Sequence, residues 1–225
     1  MTERWQEYFK EEGSKYHGIL EFAADHWNYN SPLYLKIKRL VKPPARIMDV
    51  GCGLGFSAIY LQECGYEVVG IDNDAAIVKQ ARGNAKKFGS GAAFEQCDAF
   101  DLSRYHDRFD LVYSSGFVEH YDRAVTIRFL REQSECARFV LAVIPTRYTK
   151  YSSGVTDERT YTGSQLCRIV EEAGLKIVDR FGYGDVFSPF HSLIRCILPY
   201  GLYHVLRNRF SYAMDVGCVG MRGGR

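Results

Sequence analysis

Residues 47–58, IMDVGCGLGFSA, set three glycines at every second position between an apolar strand-like run and a helix start. Gly51, Gly53 and Gly55 allow close backbone approach and left-handed φ values. The helix that follows turns its free amides toward a carboxylate or phosphate. A plain strand-to-helix turn has the same pattern, so the glycines alone select no ligand. Asp72 ends the next apolar run, about 20 residues on, where an acid accepts hydrogen bonds from ribose hydroxyls. Capping the following helix is its other use, and Asn73 or Asp74 can serve there instead. Together the glycines and Asp72 point to an adenosine-type ligand. Asp98, in CDAFDL, is placed to read the exocyclic amine of an adenine or to form a turn.

These residues need elements to hold them. RIMDV (46–50), EVVGID (67–72), AAFEQCD (92–98), FDLVYS (109–114), RFVLAVI (138–144), LKIVDRF (175–181) and YAMDVGCVGM (212–221) read as seven strands. Helices are expected at 56–64, closed by Gly65, and at 75–88, capped by Asn73 or Asp74. Two more are expected at 122–136 and at 162–174, the latter with a Thr162/Gln165 capping box and a Gly174 stop. Ser31-Pro32 marks a helix start, and Pro43-Pro44 ends that helix. Strand–helix alternation on this scale predicts an α/β, doubly wound, Rossmann-like sheet. Residues 1–44 form an aromatic N-terminal helical cap (Trp5, Tyr8, Phe9, Tyr16, Phe22, Trp27, Tyr29, Tyr34), and residues 45–225 the main domain. An apolar insertion at 187–206 precedes the last strand; Pro199 and Gly201 argue for two short helices there.

With Phe56 where a dinucleotide-binding G-x-G-x-x-G has its third glycine, the pattern departs from the dehydrogenases. DVGCGLG (49–55), GIDND (70–74), CDAFDL (97–102) and FDLVYSSGFVEH (109–120) resemble the successive motifs of class I S-adenosylmethionine-dependent methyltransferases. The resemblance covers about residues 45–181 and the last strand. It implies a seven-stranded, mostly parallel sheet with an antiparallel last strand, and S-adenosyl-L-methionine as cofactor. It also implies that Asp49 and the Gly51–Cys52–Gly53 backbone hold the methionine part. Asp72 with Asn73 takes the ribose, Asp98 and the Ala99 amide read the adenine, and Ser114 or Ser115 meets the amino group. His120 is the implied general base for a hydroxyl or protonated amine acceptor; a helix-capping or buried structural histidine is its alternative, and Glu119 is a weaker candidate.

The chain has 225 residues and a net charge of +2, which disfavours a nucleic-acid partner. Seven scattered cysteines without a C-x-x-C pair suit reduced thiols and give no zinc site, so no metal is expected. The charged MTERWQEYFK start and the absence of a long apolar run predict a cytoplasmic protein without a transmembrane segment. Aromatic surface in the 1–44 segment, the 146–160 loop and the insertion, including Trp27, Phe187 and Phe190, favours a small organic or lipid-like acceptor. The insertion also suits peripheral membrane contact, or simple packing onto the sheet. RNA or protein methylation and a non-catalytic scaffold role are the alternatives. The oligomeric state is not legible.

Overall fold

Short β-branched and apolar runs buried on both faces build the sheet, as parallel strands require. In the computed structural model, which describes residues 15–149, 159–186 and 188–223, the strands are β1 (Arg46–Val50), β2 (Glu67–Asp72), β3 (Ala93–Gln96), β4 (Phe109–Ser115), β5 (Ala137–Pro145), β6 (Leu175–Tyr183) and β7 (Asp215–Arg222). They form one sheet in the order β3-β2-β1-β4-β5-β7-β6. All run parallel except β7, which is antiparallel to β5 and β6. The order reverses at β1 and β4, so the crevice beyond their carboxyl ends is where a ligand belongs.

One face of the sheet is covered by α1 (Ile19–Asp25), α2 (Trp27–Leu40), α3 (Phe56–Glu63) and α4 (Ala75–Phe88). Phe22, Leu33, Tyr34, Ile37, Ile59 and Val78 share a core there with Ile47, Leu111 and Tyr183 of the strands. The other face is covered by α5 (Arg123–Cys136) and α6 (Gly163–Glu172). There Leu130, Leu166 and Ile169 pack on β5 and β7, and Phe129 packs on Met48 and Val50. The expected insertion forms two helices, α7 (Pro189–Ile197) and α8 (Tyr200–Phe210). Because Tyr183 and Pro145 both pair with Asp215, the insertion leaves and rejoins the sheet at its carboxyl edge.

Two local expectations are corrected, and one open choice is decided. Pro32 does not start α2; the helix begins at Trp27 and runs through it. Proline there removes one backbone donor, and burial of Leu33, Tyr34 and Ile37 against the sheet holds the helix regardless. The α4 cap is Asp74, whose carboxylate accepts from the Ala76 and Ile77 amides, and not Asn73. β3 stops at Gln96, so Cys97 and Asp98 belong to the turn after it. Trp5, Tyr8, Phe9, Phe187 and residues 150–158 of the expected substrate loop lie outside the described residues.

Candidate functional site

The glycine turn after β1 is fixed by its neighbours before any ligand arrives. The Gly51 and Cys52 amides donate to the Ile71 carbonyl at 2.9 and 3.0 Å, tying the turn to β2. Gly51 and Gly55 have φ of +73° and +77°. A Cβ on Gly51 would lie 2.5 Å from the Phe117 ring, and one on Gly55 2.4 Å from the Phe94 ring. Both positions therefore exclude a side chain on conformation and on space. Asn84 of α4, buried, donates to the Leu54 carbonyl at 3.0 Å and supports the turn from below. Gly55 caps α3 with no side chain across its first turn, leaving those amides facing the crevice end.

Asp72 joins the two sides of the crevice. One carboxylate oxygen accepts from the Gly53 amide at 3.3 Å, the other from the Asp74 amide at 3.1 Å. Burial raises its pKa against those two hydrogen bonds, which pull it down. Asp49, only 4% exposed, sits one strand away. Burial pushes its pKa to about 7, the Tyr113 hydroxyl offsets part of that shift, and the charge of Asp72 adds to it. A carboxyl raised by burial and by a neighbouring carboxylate is ready to be relieved by a cation.

Beside them lies a cavity of about 260 Å³. It is lined by Gly51, Asp72, Asn73, Asp98 and Ala99, together with Val50, Ile71, Cys97, Phe100, Phe117, Tyr121 and Phe129. Its aromatic wall is a connected cluster. Phe100 stacks on Phe129 at 4.0 Å, and Tyr121 and Phe117 meet Phe129 at 4.6 and 5.1 Å. Exposed Asp98 accepts from the Phe100 amide at 2.9 Å and so sets the turn that carries the stacking ring. The volume lies just below the range of about 300–1,000 Å³ typical of whole drug-sized ligands, and suits one nucleoside. Among the described residues no lysine or arginine lines it. A pyrophosphate here would face Asp72 and Asp98 without a counter-charge, whereas a neutral sugar and base attached to a cation meet matching groups.

The cavity thus gathers Gly51, Asp72, Asn73, Asp98 and Ala99 of the residues expected from sequence, and not Asp49, Cys52, Gly53, Ser115 or His120. Asp49, Cys52 and Gly53 sit under or within the turn. Of the two serines, Ser114 is fully buried, while Ser115 is half-buried at the strand end and engages Tyr183. His120 closes a short 3₁₀ turn (Val118–His120), half-buried, between cavity-lining Phe117 and Tyr121. Near the carboxyl end of β6 and the amino end of β7, Tyr29 of α2 donates to buried Asp215 and meets Tyr183 at 5.3 Å. Sequence patterning misses this contact and the aromatic wall. Phe117 and Tyr121 flank the VEH turn, the one hint of the wall in the sequence.

Residues 47–138 match the family model described as a methyltransferase domain. The ubiquinone biosynthesis O-methyltransferase of Dinoroseobacter shibae is 28% identical over 163 residues, 64% of this chain and 64% of that protein. The 2-heptyl-1-hydroxyquinolin-4(1H)-one methyltransferase of Mycobacteroides abscessus is 30% identical over 121 residues, 51% of this chain and 52% of that protein. The chain thus spans somewhat less than two thirds of the length of these relatives. Among solved structures, a SAM-dependent methyltransferase from Aquifex aeolicus superposes with a TM-score of 0.67 at 16% identity, covering 99% of this chain and 100% of that one. That likeness is one of fold.

Proposed function

We propose that this chain, which carries a class I S-adenosylmethionine-dependent methyltransferase domain, transfers a methyl group from S-adenosyl-L-methionine to a hydroxyl of a small organic or lipid-like acceptor. The observation that carries the proposal is the cavity with two carboxyls, an aromatic wall and, among the described residues, no basic one, set against the glycine turn and the raised Asp49. The relatives named as a ubiquinone biosynthesis O-methyltransferase and as a 2-heptyl-1-hydroxyquinolin-4(1H)-one methyltransferase support an aromatic, alkyl-bearing acceptor.

When bound, S-adenosylmethionine supplies a methyl group already activated on a sulfonium sulfur, so that alignment does much of the work. Asp72 and Asn73 would hold the ribose hydroxyls. Asp98 and the Ala99 amide would read the adenine edge, with Phe100, Phe129 and Tyr121 against its face. Asp49, the Gly51–Cys52–Gly53 backbone and Ser115 would orient the methionine end. His120 would take the acceptor hydroxyl's proton, which makes the oxygen the better nucleophile. We place residues 1–44 as a cap and residues 187–206 as the acceptor's lid. The seven cysteines are all free thiols, which supports a reducing, cytoplasmic setting. Among the described residues no helix is long and apolar enough to cross a membrane.

Incubation with methyl-labelled donor and a panel of alkyl-substituted hydroxyaromatics tests the proposal. Label is expected on oxygen of at least one acceptor, and no transfer to any of them would contradict it. On that acceptor His120→Ala should slow turnover by about 100-fold or more, with the loss shrinking at high pH as the hydroxyl ionises unaided. An undiminished rate removes His120 as base.

A further inference from the structure

The α7–α8 pair is built with its polarity inverted. The residue α7 buries is His191, which is in ring contact with Tyr203 and Tyr212 at 5.7 and 5.2 Å. Tyr203, the one residue α8 buries, donates to Asp185. Arg195 pairs with the same carboxylate at 2.7 Å. Polar groups thus pin both helices from the inside.

The outside is apolar. Phe190 (67% exposed), Leu193 and Ile197 (68%) stand at i, i+3 and i+7 on one stripe of α7. Leu202 and Val205 continue the pattern on α8, and Tyr200 (77%) and Phe210 flank them. An exposed patch of this kind marks an interaction surface.

Charge identifies the partner. Between Asp185 and Asp215 the sequence contains no acidic residue but has Arg195, Arg207 and Arg209. Arg209 is exposed at i+7 from Leu202, on the same stripe as Leu202 and Val205. Aromatic and aliphatic side chains with arginine on the same face fit the headgroup boundary of a bilayer with anionic lipids. A second copy fits less well, because the same face on the other copy offers no acidic residue between 186 and 214 to meet these arginines.

We propose that the outer face of α7 and α8 docks on an anionic phospholipid membrane surface. The insertion leaves and rejoins the sheet at its carboxyl edge, so docking brings the membrane to the side where the acceptor must enter. Only that purpose rests on the methyltransferase reading; the docking itself does not.

Co-sedimentation with phosphatidylcholine vesicles, with and without phosphatidylglycerol, tests the proposal on the full chain. Wild type is expected to bind the mixed vesicles, more weakly at high salt, and to bind the neutral ones poorly. Phe190→Ser/Leu193→Ser/Ile197→Ser changes only exposed positions and should weaken binding by about 100-fold or more. Arg209→Gln should cost about fivefold. Melting temperature and calorimetric binding of S-adenosylhomocysteine, run on the same preparations, show whether each variant is folded. No vesicle binding with intact nucleoside binding overturns docking alone, and the converse overturns the methyltransferase reading alone. A concentration-dependent dimer that the triple variant dissociates, without vesicle binding by wild type, assigns the face to a second copy and overturns the proposal.

Discussion

Asp72→Ala is expected to weaken binding of S-adenosylmethionine by about 100-fold or more. The carboxylate has two tasks: it accepts the Gly53 and Asp74 amides, and it lines the cavity where ribose hydroxyls would approach. Hydrogen bonds to a charged group are worth about 1.5–3 kcal/mol each, so losing two on the ligand side gives this magnitude. Asp72→Asn keeps one acceptor oxygen and should lose about tenfold. Calorimetry gives both numbers, and a melting curve without ligand separates loss of contacts from collapse of the glycine turn. An unchanged affinity for Asp72→Ala would remove its ribose role.

Asp49→Asn should act in opposite directions on the empty and the loaded protein. With its pKa raised to about 7 in the fold, from 3.8 in the open chain, Asp49 prefers to be protonated when buried. Its contribution to stability is therefore fully present below the unfolded pKa and is lost as pH rises through about 7. A shift of this size corresponds to about 4 kcal/mol at the upper bound. Without ligand, Asp49→Asn should therefore melt several degrees above wild type near pH 8.5 and close to it near pH 4.

Binding should go the other way. A cationic methionine end favours the ionised carboxylate, so wild type should release a proton on binding, and its affinity should rise between about pH 5.5 and about pH 7.5, around the shifted pKa. Asp49→Asn should bind about tenfold or more weakly and lose most of that pH dependence. Titrations in buffers of different ionisation enthalpy read the proton directly. A variant that is less stable than wild type at pH 8.5, or a wild-type affinity flat across this range, contradicts the electrostatic role.

The sheet was legible because its strands are apolar runs broken by glycine, proline and amphipathic helices. Gly51, Asp72 and Asp98 were legible because each stands at or just past the end of a strand, where the chain has to turn. The aromatic wall was not. Phe129 repeats at helical spacing like any core residue, and only the packing of Phe100, Phe117 and Tyr121 on it makes a slot. Asn84 looks like an ordinary polar position within α4 until it is seen to hold the Leu54 carbonyl. Tyr29 and Asp215 meet across 186 residues, which no local pattern encodes. Pro32 misled as a start signal because tertiary burial of its neighbours outweighs one lost helical hydrogen bond.

The central claim is that the glycine turn, Asp49 and the carboxylate-lined cavity bind a nucleoside carrying a cation. Isothermal titration of the full chain with S-adenosylmethionine, S-adenosylhomocysteine and NAD tests it most directly. Saturable binding of the first two near one equivalent, with no heat from the dinucleotide, is the predicted result. No binding of either S-adenosyl compound, or tighter binding of NAD, would contradict it.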